Sequence, residues 1–366
     1  MPTIYEVARQ AGVSIATVSR VSSNGAVVAE ETRGRVLQAI ADLGYQPSRL
    51  GRSLAEGTHG ASGIVFPDLT GPYYSEVILG YEDQAATDGQ SVLILGTHGR
   101  EHADDLVREL AGRVDGLVIM GRTVSDEVVT ALADGGLPIV LLARPPAGGA
   151  DTARTENLLA AATLTSHLIG HGHRRLAFIG DPDSSPDAGE RWAGFRAALL
   201  RAGMAAAPSA VRSSFREHEG YAAASELLDR STRPTALVCA NDEIALGTYG
   251  ACQERGLRIP DDVAVTGWDD IAIARYISPT LTTVRQPLRE LGALAARLMQ
   301  ERVLGGRVEP RHEMLPTELM IRLSCGCGSS PAAEAPDTDT QRYDHPAPLG
   351  ASKKVAPRSR AQGFEV

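Results

Sequence analysis

The chain has 366 residues, 43% of them hydrophobic, with 36 Lys and Arg against 45 Asp and Glu and a formal net charge of −9. That length exceeds one compact core and suits a small domain joined to a larger, bilobed unit. No apolar run reaches the roughly 20 residues that cross a bilayer, and the start Met1-Pro2-Thr3-Ile4-Tyr5-Glu6 lacks the basic and apolar regions of a signal peptide, so a cytoplasmic protein with no membrane partner is expected.

In chain order, Thr3-x-x-Glu6 is a capping box and predicts a first helix over about residues 3–10. Gly12 interrupts it, and Ser14 caps a second helix from Ile15 to Val21 with Val18 and Val21 on one face. Two short helices about a glycine-containing turn make a helix-turn-helix. A third helix is expected from Glu30 to Leu43, where Val36, Leu37, Ile40 and Leu43 keep helical spacing and Gly44 stops the run. Pro47 ends the headpiece, and residues 48–55 are too short and, with Gly51, too poor a helix to form without support. Residues 1–60 carry six arginines, no lysine and five acids, so the acidity belongs to the remainder, with its 30 basic and 40 acidic groups. A slight basic excess matters for phosphate binding only because it lies on this motif.

From residue 62 apolar runs alternate with helical stretches, the mark of βαβ units. Strands are expected at 62–68, 91–97, 116–121, 138–143, 176–181, 236–240 and 263–266. Seven are more than one small lobe needs and suit two doubly wound parallel-sheet lobes with a ligand cleft between them. Cys325-Gly326-Cys327 is half of a metal or redox site at most. No histidine or cysteine pair at a suitable spacing completes a tetrahedral set, so no metal and no cofactor are expected, and with Cys239 and Cys252 the four cysteines make no disulfide framework. After about residue 328 the composition becomes that of a disordered tail, which holds the chain's two lysines, Lys353 and Lys354.

Two contiguous blocks, Ala11-Gly12-Val13-Ser14 and Thr17-Val18-Ser19-Arg20-Val21, are followed by Glu31-Thr32-Arg33 and Gly44-Tyr45-Gln46-Pro47-Ser48-Arg49. On these blocks residues 3–54 resemble the headpiece of the LacI/GalR (lactose-repressor/galactose-repressor) family, and the similarity extends over roughly residues 3–325. The resemblance implies an all-α helix-turn-helix headpiece plus an α/β effector domain of two periplasmic-binding-protein-type lobes. Its expected segments are a DNA-binding headpiece (1–46), a hinge helix and linker (47–60), an effector domain (61–325, with an N-lobe at about 61–168 and 288–318 and a C-lobe at about 169–287) and a tail (326–366). The chain departs from the family at Ser22-Ser23-Asn24, where Leu-Asn usually follows Val21, and at Gly51, where alanine is usual in the hinge. Ala29 stands where a serine usually caps the third helix, a loss of about 1 kcal/mol.

The expected DNA-facing set is Thr3, Ser14, Ile15, Ala16, Thr17, Ser19, Arg20, Arg49 and Leu54. The start of the second helix of such a motif reaches base edges, so Ile15 and Ala16 suit thymine methyls and Arg20 suits guanine O6 and N7. Hydroxyls on Ser14, Thr17 and Ser19 suit phosphates. By resemblance, Leu54 is a minor-groove wedge, although a single leucine is more often core.

In open α/β sheets ligands sit beyond the carboxyl ends of strands, which selects Asp68, Asn241, Asp242 and the Trp268-Asp269-Asp270 run. Resemblance adds Tyr73, Tyr74, Glu156, Arg191 and Gln286. The expected effector set is Tyr73, Tyr74, Glu156, Arg191, Asn241, Trp268, Asp269 and Gln286, a mixture of donors, acceptors and flat rings that can hold a sugar. The plainer alternative is that Arg191 and Asp269 form a structural ion pair. No G-x-S-x-G, P-loop or strand-linked G-x-G-x-x-G motif points to an enzyme. The expected function is therefore ligand-controlled transcriptional repression by a homodimer on double-stranded, palindromic operator DNA.

Overall fold

The computed structural model describes residues 2–22, 28–45, 58–204, 210–305 and 309–328. The hinge, with Arg49, Gly51 and Leu54, and the tail from 329 lie outside them.

The headpiece consists of α1 (Ile4–Ala11), α2 (Ile15–Ser22) and α3 (Glu30–Leu43). The Glu6 carboxylate accepts from the Thr3 N–H at 2.7 Å, completing one arm of the capping box, and Ser14 Oγ accepts from the Thr17 N–H at 3.2 Å at the start of α2. Ala29 supplies no side-chain hydrogen bond to α3, as its missing hydroxyl requires. Val7, Ala8, Val18, Val21, Val36 and Ala39 close the small core. Burying Val18 and Val21 turns the opposite face of α2 outward.

The N-lobe is a parallel six-stranded sheet in the order β10-β5-β4-β3-β1-β2, built from β1 (Ala61–Phe66), β2 (Ser91–Gly96), β3 (Leu117–Met120), β4 (Ile139–Leu142), β5 (Asp151–Thr155) and β10 (His312–Leu315). Its helices are α4 (Pro72–Thr87), α5 (Ala103–Ala111), α6 (Asp126–Asp134) and α11 (Leu288–Val303). Val77 and Tyr81 of α4 share a core with Leu291, Leu294 and Leu298 of α11. The C-lobe sheet is β6 (Leu176–Ile179), β7 (Ala236–Cys239) and β8 (Ala264–Thr266), all parallel. Around it pack α7 (Leu158–Gly170), α8 (Pro186–Arg201), α9 (Glu217–Leu228) and α10 (Asp242–Glu254).

All seven expected strands are present. The structure adds β5, β10 and an antiparallel pair, β9 (Thr283–Arg285) with β11 (Glu318–Met320). It also moves the lobe boundary from 168 back to about 156, because Ala161, Leu164 and Leu168 of α7 bury their side chains in the C-lobe core. Cys325 belongs to that core too.

The chain passes between lobes three times, and the passages are tied together. Glu156 N–H donates to the Leu315 carbonyl at 2.9 Å, Thr317 Oγ1 donates to the Glu156 carbonyl at 3.0 Å, and β11 pairs with β9 beside Gln286. Such a bundle of short connections at one edge is where two lobes can change angle with little repacking.

Candidate functional site

On the headpiece, Ile15, Ala16, Ser19 and Arg20 share the exposed face of α2, with Ile15 39% exposed. On this face the apolar Ile15 stands one turn before Ser19 and Arg20, so the face mixes an apolar side chain with hydrogen-bonding ones. Arg20 Nε donates to the Ala16 carbonyl at 3.2 Å, so its guanidinium lies back along the helix. Ser14 Oγ and Thr17 Oγ1 are 2.9 Å apart. Tyr5, 69% exposed on α1, was not singled out from the sequence, because a lone tyrosine in a capping turn carries no motif. Its hydroxyl lies on the helix that crosses the phosphate backbone in such motifs.

The cleft gathers residues from both lobes. Arg191, on α8, is buried and firmly held: Nε donates to Asn157 Oδ1 at 2.8 Å, Nη1 to the Ala240 carbonyl at 2.7 Å, and the guanidinium lies 4.6 Å from the Trp268 ring centroid. Its ionic partner is Asp187, at 3.8 Å, rather than Asp269. Asp269 follows β8 at φ +110° and Asp270 at φ +55°, a left-handed pair without glycine. Such backbone strain costs about 1–3 kcal/mol per residue and persists where the surroundings impose it. Asp269 Oδ1 accepts from Gln286 Nε2 at 2.6 Å, and Gln286 Oε1 accepts from Thr155 Oγ1, which links a C-lobe carboxylate to an N-lobe strand through a crossing segment.

Burial dominates the electrostatics. It pushes the Asp269 carboxyl up to about 7, against the pull of Arg191 and Gln286, and pushes Asp187 up to about 6. Tyr73, entering from the start of α4, is raised well above its ordinary value by burial and then by Asp187 and Asp269. Its hydroxyl and the Trp268 Nε1–H are both buried without a hydrogen-bond partner among the described residues. Tyr74 packs edge-on to Phe66 and Tyr73, with ring centroids 5.8 and 5.4 Å apart.

Three residues singled out from the sequence have other work. Glu156 accepts from the Leu159 and Ala160 N–H groups at 2.6 and 2.9 Å, so its carboxylate caps α7. Asn241 caps α10, accepting from the Ile244 N–H at 2.9 Å, while its amide donates to the Phe215 carbonyl at 3.1 Å. Asp242, wholly buried, braces the Asp269 loop by accepting from Ile271 N–H at 2.9 Å and Thr283 Oγ1 at 2.6 Å. A polar residue at a strand end is equally a helix cap, and composition does not separate the two. Asp187, Asn157 and Thr155 were missed, since each is an ordinary polar residue until Arg191 or Gln286 is placed beside it.

Two further contacts cross the cleft. Asp68, beyond β1, pairs with Arg216 at the start of α9, and Arg122 Nη1 donates to the Asp183 carbonyl at 3.4 Å. Gly71, at φ +95°, faces Glu243 of α10 so closely that a Cβ there would lie 2.7 Å from Oε1. The lobes are therefore in contact on this side.

The family described as bacterial regulatory proteins, lacI family, matches residues 3–48, and the periplasmic binding protein-like domain matches residues 165–325. The HTH-type transcriptional repressor PurR of Pasteurella multocida (strain Pm70) is 35% identical over 332 residues, 88% of this chain and 98% of that protein. Its namesake from Photobacterium profundum is 34% identical over 88% and 98%. Among solved structures, the lac repressor dimer bound to operator and the anti-inducer ONPF superimposes with a TM-score of 0.80 at 29% identity, covering 88% of this chain and 99% of that one. The transcriptional regulator CelR in complex with cellobiose gives a TM-score of 0.67 at 33% identity, covering 88% and 100%. The exposed face of α2, the polar cleft between two lobes and similarity along nearly the whole described length lead to one conclusion: the chain belongs to the LacI family of bacterial regulatory proteins and is a DNA-binding transcriptional regulator.

Proposed function

We propose that the chain is a cytoplasmic, homodimeric repressor of palindromic operators whose DNA affinity is set by a sugar bound between the lobes. The observation that carries the effector site is the pair of buried, unpartnered donors, Tyr73 OH and Trp268 Nε1–H, beside the fixed Arg191 and the second oxygen of Asp269. Buried polar groups without partners are rare and costly, and a ligand that supplies the missing acceptors relieves both. Vicinal hydroxyls, each a donor and an acceptor, match a guanidinium, a carboxylate and two fixed donors. Cellobiose in the CelR structure and ribose in a regulator from Enterococcus faecium support that class.

The mechanism follows from placement. Tyr73 comes from the N-lobe, Arg191, Trp268 and Asp269 come from the C-lobe, and Gln286 lies on a crossing segment. A sugar that bonds to all of them favours one lobe angle over another. In a two-fold dimer that angle sets the spacing of the paired headpieces, and hence their fit to half-sites one helical turn apart. Effector and operator then alter each other's affinity by the same factor.

A thermal-shift screen against monosaccharides, disaccharides and nucleobases tests the class. A sugar at about a hundred times its dissociation constant adds about 2.7 kcal/mol to stability, and Asp269→Ala removes the shift. A shift with nucleobases alone would overturn the sugar assignment.

A further inference from the structure

At the end of α7 remote from the cleft, four metal-ligating side chains meet. His167 lies in the last turn of the helix and His171 caps it, four residues on, so both rings leave the same face with centroids 4.7 Å apart. Cys325 ends the short 3-10 turn Leu323–Cys325, and Cys327 follows Gly326, whose φ of +95° turns the chain back. His167 Nε2 is 3.3 Å from Cys325 Sγ and 3.5 Å from Cys327 Sγ, and His171 Nε2 is 3.1 Å from Cys327 Sγ. All four donor atoms lie within 4.8 Å of one another. A tetrahedral zinc with Zn–S of about 2.3 Å and Zn–N of about 2.0–2.1 Å spaces its donors about 3.4–3.8 Å apart, so the three contacts of 3.1–3.5 Å are already near that spacing and the widest pair closes on an ion with a shift of about an ångström. The spacing rule failed because the completing pair lies on a helix 158 residues earlier in the chain.

We propose that His167, His171, Cys325 and Cys327 form a structural zinc site that fastens the C-terminal turn of the C-lobe to α7. Two thiolates and two imidazoles in a tetrahedron select zinc over the oxygen-seeking cations, and the two negative sulfurs neutralise the dication. With all four positions filled by protein the site is closed and not catalytic. The turn is held independently of any ion: Ser324 Oγ donates to the Val265 carbonyl at 2.6 Å and accepts from the Thr282 N–H at 2.8 Å. The donors are thus arranged before zinc arrives, and variants at the ligands are expected to stay folded.

The test uses the full chain, purified reduced, incubated with zinc, dialysed and assayed for metal. One zinc per chain is expected, and cobalt in its place should show the intense visible bands of a tetrahedral ion with thiolate-to-metal charge transfer in the near ultraviolet. Because His171 is exposed and Cys327 half-buried, His171→Ala and Cys327→Ser should fold normally yet retain less than about a tenth of the zinc. A chelator should lower the melting temperature of the parent chain and leave that of a chain carrying both His171→Ala and Cys327→Ser unchanged. A reduced chain that takes up no zinc, variants that keep it, or an octahedral cobalt spectrum would each overturn the proposal.

Discussion

The headpiece and the cleft are two binding surfaces built on opposite plans. The exposed face of α2 is Ile15, Ala16, Ser19 and Arg20, which one helix presents to solvent around the buried Val18, and its meaning is contained in nearly adjacent letters of the sequence. The cleft is assembled from residues 73, 155, 187, 191, 268, 269 and 286, which are buried against one another and acquire a role only through the fold. Recognition of a long, charged polymer tolerates exposure, because the duplex itself supplies the partner and the counterions released supply free energy. Recognition of a small neutral molecule needs desolvated, preorganised groups, and these bring shifted carboxyls and strained backbone with them.

The largest expected effect separates the two surfaces. Deleting residues 1–60 should abolish operator binding in a gel-shift assay and leave the thermal shift with sugar intact. Operator binding that survived would break the assignment of DNA recognition to α2.

Arg20→Ala comes next. Removing a bidentate contact to guanine should cost about 1–3 kcal/mol of discrimination at one base pair per half-site, whereas loss of a phosphate contact weakens all sequences alike. Titrations against specific and random duplexes at one salt concentration distinguish the two, and an equal drop would reduce Arg20 to a backbone contact.

The cleft should respond to pH, and the headpiece should not. Burial raises Asp269 to about 7 and Asp187 to about 6, from an ordinary value of 3.8. Their protonated forms are the ones the empty fold favours, so their contribution to stability is complete below pH 3.8 and is lost as pH rises through 6 and 7. A sugar that donates to the Asp269 carboxylate favours the charged form, so its affinity should rise over the interval in which the empty chain loses stability. Melting curves with and without sugar, taken at several pH values between about 5 and 8, would show the two trends diverging. Parallel curves would mean that Asp269 does not touch the ligand.

The smallest expected effect concerns the Asp68–Arg216 bridge. A partly exposed pair is worth about 0.5–1 kcal/mol, so Asp68→Ala should shift sugar affinity by no more than a few fold and leave the headpiece's affinity for a single half-site unchanged. A larger change would make the bridge part of the binding site itself.

Much of this architecture was legible because hydrophobic periodicity reports burial. Seven apolar runs gave seven strands. The strand Asp151–Thr155 escaped because its burial is polar: Asp151 is buried against Arg302, at 2.8 Å, and accepts from the Arg311 N–H at 2.8 Å. The rule of strand carboxyl ends led to the loop in which Asp269 meets Gln286. It could not say that Asn241 is consumed by α10, or that Asp242 is a brace, since both depend on where backbone donors point. The cysteine and histidine cluster was hidden for a related reason: each half has a recognisable spacing, but only folding joins them.

The central claim is that a ligand in the cleft controls a headpiece it does not touch. It is tested most directly by measuring operator affinity, at fixed salt, with and without the sugar that gives the largest thermal shift, for the parent chain and for Asp269→Asn. The account predicts that the sugar changes operator affinity of the parent chain severalfold, and that Asp269→Asn binds operator normally but no longer responds. If the variant responded to the sugar as the parent chain does, the effector site would have to lie elsewhere and the account would be contradicted.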